Sequence, residues 1–261
     1  MVDLKDRRAL VCGATQGMGR ACALEIARRG GTVTLAARRQ EALDQVTAEL
    51  DTSAGRRHGS ICQDFSDPSA LQAKVADDIH KNGPFHILLN NTGGPPGGLL
   101  IDAQPEDLRS AYTSHVICNQ LLVCTVVPGM KEAGYGRVIN IISTSVKTPI
   151  PGLGVSNTTR GAVASWAKTL AGELGPLGIT VNNVLPGFID TGRLHEVIDD
   201  FAARGGQSTE EVRSALVSQV PAGRFGQPEE VAAVVCFLAS SAASYINGIN
   251  LPVDGGRTPT L

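Results

Sequence analysis

Short apolar runs alternate along the chain with longer stretches whose hydrophobic residues recur at helical spacing. The runs have the length of strands and are apolar on both faces, as in a parallel sheet covered by helices on each side. Seven strands are predicted: Ala9 to Cys12, Thr32 to Ala36, Ser60 to Cys62, Ile87 to Asn90, Val138 to Ile142, Thr180 to Leu185 and Ile249 to Val253. Because βα crossovers are right-handed, this alternation of strands and helices predicts a doubly wound α/β sheet.

One region, between Thr191 and Pro221, departs from the alternation of strands and helices. The segments HEVIDDFAARGG and STEEVRSALVSQ there predict two short helices, and Ser208 with Glu211 has the spacing of a capping box. Open α/β sheets carry ligand loops after the carboxyl ends of their strands, so residues 192–220 are predicted to form a substrate lid. A plain surface excursion is the alternative. No linker or repeat occurs elsewhere, which predicts one domain over residues 1–261.

Charge and composition favour a small-molecule partner. The 261 residues include 23 basic and 25 acidic side chains, for a net charge of -2, and only 4% are aromatic. Nothing in this balance attracts nucleic acid or an anionic membrane surface. Glycine is abundant, at 30 residues, which predicts many tight backbone turns.

The cysteines and the chain's start predict a soluble cytoplasmic protein. No zinc or disulfide spacing occurs, so buried thiols of a reducing compartment are expected at Cys12, Cys22, Cys62, Cys118, Cys124 and Cys236. The first residues, MVDLKDRRAL, lack the apolar core of a signal peptide. The longest apolar stretch, Val231 to Ala243, is too short to span a bilayer. No metal site is predicted.

A glycine-rich turn follows the first predicted strand. Gly13, Gly17 and Gly19 stand between that strand and a stretch of helical periodicity, RACALEIARRG. Glycines allow a pyrophosphate to approach the backbone, and the amides at a helix N-terminus stabilise its charge. A tight turn without a ligand is the alternative. The order of strand, turn and helix predicts a Rossmann-type dinucleotide site.

The end of the second strand indicates which dinucleotide would bind. An NAD enzyme is expected to have an acidic residue near Ala37 to hold the ribose 2′-hydroxyl, and none is present. Arg38 stands there instead, with Arg39 beside it, and a planar guanidinium suits the 2′-phosphate of NADP(H). The alternative is that these arginines merely begin a solvated helix.

Motifs along nearly the whole chain resemble those of the short-chain dehydrogenase/reductase family. The segment CGATQGMG resembles its glycine motif, NNTG its NNAG turn, and GRVINIIS the strand that presents its active-site serine. GRFGQPEEVA and LPVDGG resemble its C-terminal signature. The resemblance implies a cofactor site made of Gly13, Thr15, Gln16, Gly17, Met18, Gly19, Arg38, Arg39, Asp64, Phe65, Asn91, Gly93, Arg160, Pro186, Gly187, Ile189 and Thr191.

Three of the family's four catalytic positions carry other residues. The family uses a serine, a tyrosine thirteen residues later, a lysine four residues beyond it and an asparagine on the preceding helix. Counting along the matching motifs places Ser143 at the serine, Ser156 at the tyrosine and Arg160 at the lysine. His115 falls at the asparagine. A serine hydroxyl is too short and too weak an acid to replace the phenol directly, and Arg160 stays protonated.

A water bridging to Ser156, or a different donor, would therefore have to move the proton. His115, expected to titrate near neutral pH, and Lys147, on the loop after the fifth strand, are the candidates. For both, a structural or solvated role is the alternative. No motif directs Tyr112, Tyr135 or Tyr245 to the nicotinamide. In the lid, an anionic or sugar-like ligand would suit the basic residues Arg193, His195, Arg204 and Arg213.

The resemblance implies an NADP(H)-dependent oxidoreductase acting on a carbonyl or alcohol, with an altered proton route. A non-redox isomerase, dehydratase or lyase is a second reading, and a catalytically silent NADP(H)-binding regulator is a third. The family commonly packs helices such as those near residues 105 to 132 and 156 to 175 into dimers and tetramers, so a homodimer or homotetramer is expected.

Overall fold

A seven-stranded parallel sheet forms the centre of the computed structural model, which describes residues 2–260. The strands are β1 Arg8–Cys12, β2 Thr32–Ala37, β3 Gly59–Cys62, β4 Ile87–Asn90, β5 Gly136–Ile141, β6 Ile179–Pro186 and β7 Asn250–Val253. Their order is β3-β2-β1-β4-β5-β6-β7, and every neighbouring pair is parallel. The predicted doubly wound sheet is thus confirmed, although several strand ends differ from the predicted ones by one or two residues.

Helices cover both faces of this sheet. They are α1 Gly17–Arg28, α2 Gln40–Glu49, α3 Pro68–Asn82, α4 Pro105–Tyr112, α5 Cys118–Glu132, α6 Gly154–Leu174, α7 Gly192–Gly205, α8 Thr209–Val217 and α9 Pro228–Ala239. One apolar layer packs the sheet against α1, α2 and α9, and the other packs it against α3, α5 and α6. Successive residues of β1 point to opposite layers, with Val11 in the first and Leu10 in the second. This is why the strands are apolar on both faces.

The sheet changes its winding direction between β1 and β4. These two strands are neighbours, but the chain between them forms β2 and β3 on the far side of β1. The loops after β1 and β4 consequently leave on opposite faces and open a crevice at the carboxyl ends of the strands. Gly13 begins the first of these loops, and Asn91 begins the second.

Four buried or partly buried asparagines form a hydrogen-bonded ladder across the other half of the sheet. Asn90 donates to Asn140, Asn140 to Asn183 and Asn183 to Asn250, each over 2.8 Å. The same residues are register partners on β4, β5, β6 and β7. Because a buried amide is costly without a partner, the ladder disfavours any slip between these strands. Nothing in the apolar periodicity predicted it.

The irregular region contains the two predicted helices, α7 and α8. Ser208 and Glu211 form the predicted capping box, with the Glu211 amide donating to the Ser208 hydroxyl over 3.2 Å. The helices share a small apolar cluster that includes Ile198, Val212 and Phe225.

The cysteine prediction was correct in part. All six thiols are free, and Cys12, Cys22, Cys118 and Cys236 are buried. Cys62 is only half-buried and Cys124 is exposed, so the prediction was wrong for these two. Cys124 lies on the solvent side of α5, where its sulfur accepts a hydrogen bond from Gln120 over 3.1 Å. None of the helices within residues 2–260 is both long enough and apolar enough to cross a membrane.

Candidate active site

The glycine turn after β1 leaves no room for a side chain at Gly13 or Gly19. Gly13 and Gly17 have φ values of 60° and 52°, in the left-handed region. A Cβ atom on Gly13 would lie 2.6 Å from the backbone oxygen of Asn91, and one on Gly19 would lie 2.2 Å from that of Gly13. Asn91 also joins the two loops of the crevice, because its side-chain amide donates to the oxygens of Cys12 and Gly13 over 3.3 and 3.2 Å.

The same turn ends at the N-terminus of α1, where the side chain of the N-cap residue makes no capping hydrogen bond within residues 2–260. Gln16 occupies the N-cap position in an extended conformation, and the first turn of the helix contains no acidic residue. Its free amides and the helix dipole therefore face the crevice without competition from a protein carboxylate. A bare glycine cradle with free amides fits the pyrophosphate of a dinucleotide.

Arg38 and Arg39 are exposed directly after β2, as a contact with a 2′-phosphate would require. Asp64 follows the neighbouring strand β3 and is also exposed. The Ser66 amide donates to the Asp64 carboxylate over 2.8 Å, and this bond, the Ser66 hydroxyl and the nearby Arg38 charge hold the pKa of Asp64 below its usual range. The edge beside β2 and β3 therefore contains both a fixed carboxylate and a solvent-facing guanidinium. Phe65, half-buried beside Asp64, accepts a bond from the Cys118 thiol through its backbone oxygen.

A cavity of about 280 Å³ opens at the carboxyl ends of the central strands. Thirteen residues of the predicted site line it: Gly13, Gln16, Gly17, Met18, Asn91, Gly93, Ser143, Ser156, Arg160, Pro186, Gly187, Ile189 and Thr191. The other predicted site residues lie outside its lining: Thr15, Gly19, Arg38, Arg39, Asp64, Phe65, His115 and Lys147. The sequence motifs thus converge on one space from four different strand ends.

Ser143, Ser156 and Arg160 meet on one wall of this cavity. Ser143 is half-buried after β5, and its hydroxyl accepts a hydrogen bond from the Ser145 amide over 3.0 Å. Ser156 and Arg160 stand one turn apart on α6 and face the same side. The Arg160 guanidinium is buried and donates to the Ile141 oxygen over 3.2 Å. Burial, and then the charge of Arg193, lower the pKa of Arg160 to about 10.

His115 differs from the expectation made for it. It lies in a π-helical turn, Thr113–Ile117, and its side chain is buried behind Thr92, whose Oγ1 is 2.6 Å from Nδ1 of the imidazole. Burial and then the Arg160 charge lower the pKa of His115 to about 2, against a weaker opposing effect of a backbone hydrogen bond with Gly93. The expectation that His115 titrates near neutral pH is therefore wrong, because desolvation disfavours the imidazolium. It lines a second cavity of about 560 Å³ behind residues 93–99.

Lys147 and the tyrosines are also outside the cavity lining. Lys147 follows the 3₁₀ turn Thr144–Val146 and is half-buried. Tyr135 donates its hydroxyl to the Ala239 oxygen and lies between the guanidinium groups of Arg7 and Arg137. Tyr112 and Tyr245 are exposed. Of the residues that line the cavity, all within the described chain, none is Asp, Glu, His, Cys, Lys or Tyr.

Sequence reasoning missed one polar residue of the lining, Thr92. A signal for Thr92 existed, since it stands where the resembled motif NNAG has alanine and it contacts His115, which replaces the expected asparagine. Of the four basic residues of residues 192–220, only Arg193 lines the cavity.

The other three basic residues of this region have different partners. His195 bonds the Asp190 carboxylate over 2.9 Å, Arg204 donates to the Gly97 oxygen over 3.0 Å, and Arg213 stacks on Phe225 at 4.7 Å. Their side chains are therefore engaged outside the lining of the cavity that Ser143, Ser156 and Arg160 share.

The chain is similar to known reductases over nearly all its length. The sequence profile of a family described as Enoyl-(Acyl carrier protein) reductase matches residues 13–258. The chain is 33% identical over 253 residues to the short-chain reductase protein NovJ of Streptomyces niveus. This match covers 95% of this chain and 93% of NovJ. It is 33% identical over 257 residues to the 3-oxoacyl-(acyl-carrier-protein) reductase FabG of Pseudomonas aeruginosa, covering 98% of this chain and 98% of FabG.

A solved structure has the same fold. L-sorbose reductase from Gluconobacter frateurii, in complex with NADPH and L-sorbose, superposes with a TM-score of 0.92 at 28% sequence identity. The match covers 100% of this chain and 99% of that chain.

Proposed function

The chain belongs to the short-chain dehydrogenase/reductase family, and from this premise we propose that it is an NADP(H)-dependent oxidoreductase that interconverts a carbonyl and an alcohol. One observation carries the proposal: Ser143, Ser156 and Arg160 line the same cavity as the glycine cradle. The reacting carbon of a substrate bound there can meet both a hydroxyl pair and a dinucleotide. Curated relatives and the structural neighbour are reductases, which supports the same reaction class.

NADP(H) would be held by the turn Gly13 to Gly19, with Arg38 and Arg39 at its 2′-phosphate and Thr191 and Ile189 at its other end. When bound, this cofactor donates or accepts the hydride. Asp64 and Phe65 would flank its adenine, and Arg160 would hold its ribose from the α6 wall. The carbonyl compound then occupies the space between Ser143, Ser156 and residues 192–220, which we propose to act as its lid because Leu194 and Val197 line the cavity.

In reduction, oxygen of the substrate gains negative charge as its carbon is reduced. Ser143 would donate its hydroxyl hydrogen to that oxygen, since the Ser145 amide already donates to the Ser143 Oγ and orients it. Arg160 would stabilise the developing charge from one helix turn beyond Ser156. Its pKa of about 10 keeps it protonated at neutral pH, so it contributes charge and does not carry the proton.

We propose that the proton comes from water through the Ser156 hydroxyl. Among the described residues that line the cavity there is no Asp, Glu, His, Cys, Lys or Tyr, and burial keeps His115 neutral. A serine is shorter than a tyrosine, so space for a bridging water remains beside Ser156, and a hydroxyl can accept one hydrogen bond while it donates another. The altered route replaces one phenol with a serine and a solvent molecule.

This route predicts an unusual pH dependence. With NADPH saturating, we expect kcat for reduction to stay level from about pH 6 to pH 9, because no lining group changes its charge there. It should fall as the pH rises through about 10, where Arg160 loses the proton that stabilises the oxyanion. The measurement is kcat across this range in buffers of constant ionic strength. His115→Asn should leave the level region unchanged, whereas a limb near neutral pH that His115→Asn abolishes would contradict the route.

Cofactor preference provides a second test. The protein should bind NADPH more tightly than NADH, because Arg38 can pair with a phosphate and no carboxylate near Ala37 can hold a free 2′-hydroxyl. Arg38→Ala should weaken NADPH binding about 10- to 100-fold with little change for NADH, the range expected for a charge-assisted hydrogen bond. Dissociation constants follow from quenching of protein fluorescence.

Two further variants make that test specific. Arg39→Ala should have a smaller effect in the same direction, and the exposed Arg57→Ala, which removes the same charge elsewhere, should have none. Equal affinities of the unmodified protein for NADPH and NADH would refute the assignment of the 2′-phosphate site.

A catalytically silent NADP(H)-binding protein is the second candidate. It is favoured over an enzyme with the family's usual proton donor, because the described residues that line the cavity include no tyrosine or other group that titrates near neutral pH. A non-redox isomerase, dehydratase or lyase is a third. Steady-state assays separate the three: a reductase consumes NADPH in proportion to product, a non-redox enzyme forms product without net consumption, and a silent protein does neither.

We also propose that residues 1–261 act as one domain and that copies associate through the helices of residues 105–132 and 156–175. Tyr112 and Ile117 are large apolar side chains exposed on the first of these segments, which supports an interface there. The cytoplasmic location stays a prediction.

A further inference from the structure

Arg193 joins the lid region to the segment that follows β4. It is the second residue of α7, and its Nη2 donates to the Pro95 oxygen over 2.8 Å. Its Nη1 lies 3.2 Å from the Glu196 carboxylate, on the exposed side of the same helix. The side chain is 42% exposed, and the residue lines the cavity that Ser143, Ser156 and Arg160 share. Arg193 is thus held from two directions while part of its guanidinium faces the cavity.

Arg193 and Arg160 face the same small space beside Gly94. A methyl group built on Gly94 would lie 3.7 Å from both Nε and Nη2 of Arg193 and 4.0 Å from Nη2 of Arg160. The glycine leaves this space open, so two guanidinium groups that come from different helices both reach it. Their proximity accords with the effect of Arg193 on the pKa of Arg160, which burial and this neighbouring charge lower.

The lining of the cavity carries positive charge from both arginines, because the Glu196 carboxylate that pairs with Arg193 lies on the exposed side of α7 and outside this lining. Arg160 is 8% exposed, and its hydrogen bond within residues 2–260 is to the Ile141 oxygen, which leaves most of its five N–H groups without a protein acceptor. The residues lining the cavity, all of them described, include two arginines and no carboxylate. A buried cation beside a like charge is destabilising unless an anion joins them. An oxyanion bound between the two guanidinium groups would offset this repulsion.

The substrate is the better source of that oxyanion than the cofactor. A pyrophosphate would lie on the glycine turn and the free amides of α1, whereas Arg160 follows Ser156 by one turn of α6 and is therefore at the reacting end. We propose that Arg193 binds a carboxylate on the substrate, with the Arg160 charge adding to the attraction, while the substrate carbonyl lies at Ser143 and Ser156. This inference rests on the proposed function, and it assigns the substrate class as a small keto or hydroxy acid.

A matched pair of probes tests the subsite. 5-keto-D-gluconate and L-sorbose share one carbon skeleton and differ in a carboxylate or a hydroxymethyl group at one end. We expect kcat/KM with NADPH to be about 10- to 100-fold higher for the acid, the effect of a charge-assisted hydrogen bond. Arg193→Gln should reduce this preference to near one and leave the NADPH dissociation constant unchanged.

Arg204→Gln is the control for a purely structural role. Arg204 is also on α7 and also donates to an oxygen of the segment after β4, that of Gly97 over 3.0 Å, but it does not line the cavity. It should keep the preference for the acid. Equal kcat/KM for the two probes in the unmodified protein, or an undiminished preference in Arg193→Gln, would overturn the subsite. So would an Arg193→Gln variant that loses NADPH affinity alone, because the charge would then serve the cofactor.

Binding measurements separate this inference from the proposed function. Calorimetric titration of the NADP⁺ complex with D-gluconate and with D-glucitol repeats the comparison without turnover. Tighter binding of gluconate that Arg193→Gln abolishes would support the subsite even if no carbonyl compound oxidised NADPH, an outcome that would refute only the reductase. Failure of both ligands to bind would overturn the subsite for this class of acid.

Discussion

Ser143→Ala is expected to lower kcat for reduction about 10²- to 10³-fold, the loss typical of removing one donor to a developing oxyanion. The Ser143 hydroxyl is oriented by the Ser145 amide at 3.0 Å and lines the cavity beside Ser156 and Arg160. Alanine removes the donor and keeps the backbone. The NADPH dissociation constant should stay the same, because Ser143 is not among the residues that we propose to hold the cofactor.

Ser145→Ala is the matched control for that variant. Its hydroxyl is buried on the same loop and makes no hydrogen bond within residues 2–260, so its removal should change kcat little. Steady-state kinetics and NADPH titrations of both variants make the comparison. A Ser143→Ala protein with unchanged kcat, or one that loses kcat only as much as Ser145→Ala, would contradict the assigned role of Ser143.

Restoring the family's pair, with Ser156→Tyr and Arg160→Lys together, is expected to lower kcat on the native substrate by about 10- to 100-fold. The cavity holds about 280 Å³, and Ser156 shares its wall with Leu153 and Ile150. A phenol at position 156 would occupy the space of the substrate or of the bridging water. The lysine would also lack the guanidinium group through which Arg160 donates to the Ile141 oxygen and reaches the space beside Gly94.

Ala76→Tyr is the control for that double variant, because it adds a phenol at an exposed position of α3, outside the cavity lining and the proposed interface. It should leave kcat unchanged. Thermal unfolding of each variant excludes loss of the fold as the cause. If the double variant gains activity while Ser143→Ala loses none, the protein would be better described as an NADP(H)-binding protein that has lost catalysis.

Local patterns determined the sheet, the glycine turn and the first list of site residues. Strands that are apolar on both faces have few arrangements other than a parallel sheet covered by helices. The turn from Gly13 to Gly19 requires glycine because of its positive φ angles and its close approach to Asn91 and to its own backbone. Residue spacing then located Ser143, Ser156 and Arg160 relative to β5. Spacing sufficed because one helix turn separates the last two, and helical geometry is the same in every protein.

Tertiary structure alone decided the charge state of the site. The sequence contains His115, Lys147 and three tyrosines that are able to transfer protons, yet burial keeps His115 neutral and Tyr135 is engaged with the Ala239 oxygen. The asparagine ladder and the approach of Arg193 to Arg160 join residues from separate elements, and no periodicity predicts either. The physical reason is that solvation and the distance between charges depend on the packing of distant segments, whereas the elements themselves depend on neighbours along the chain.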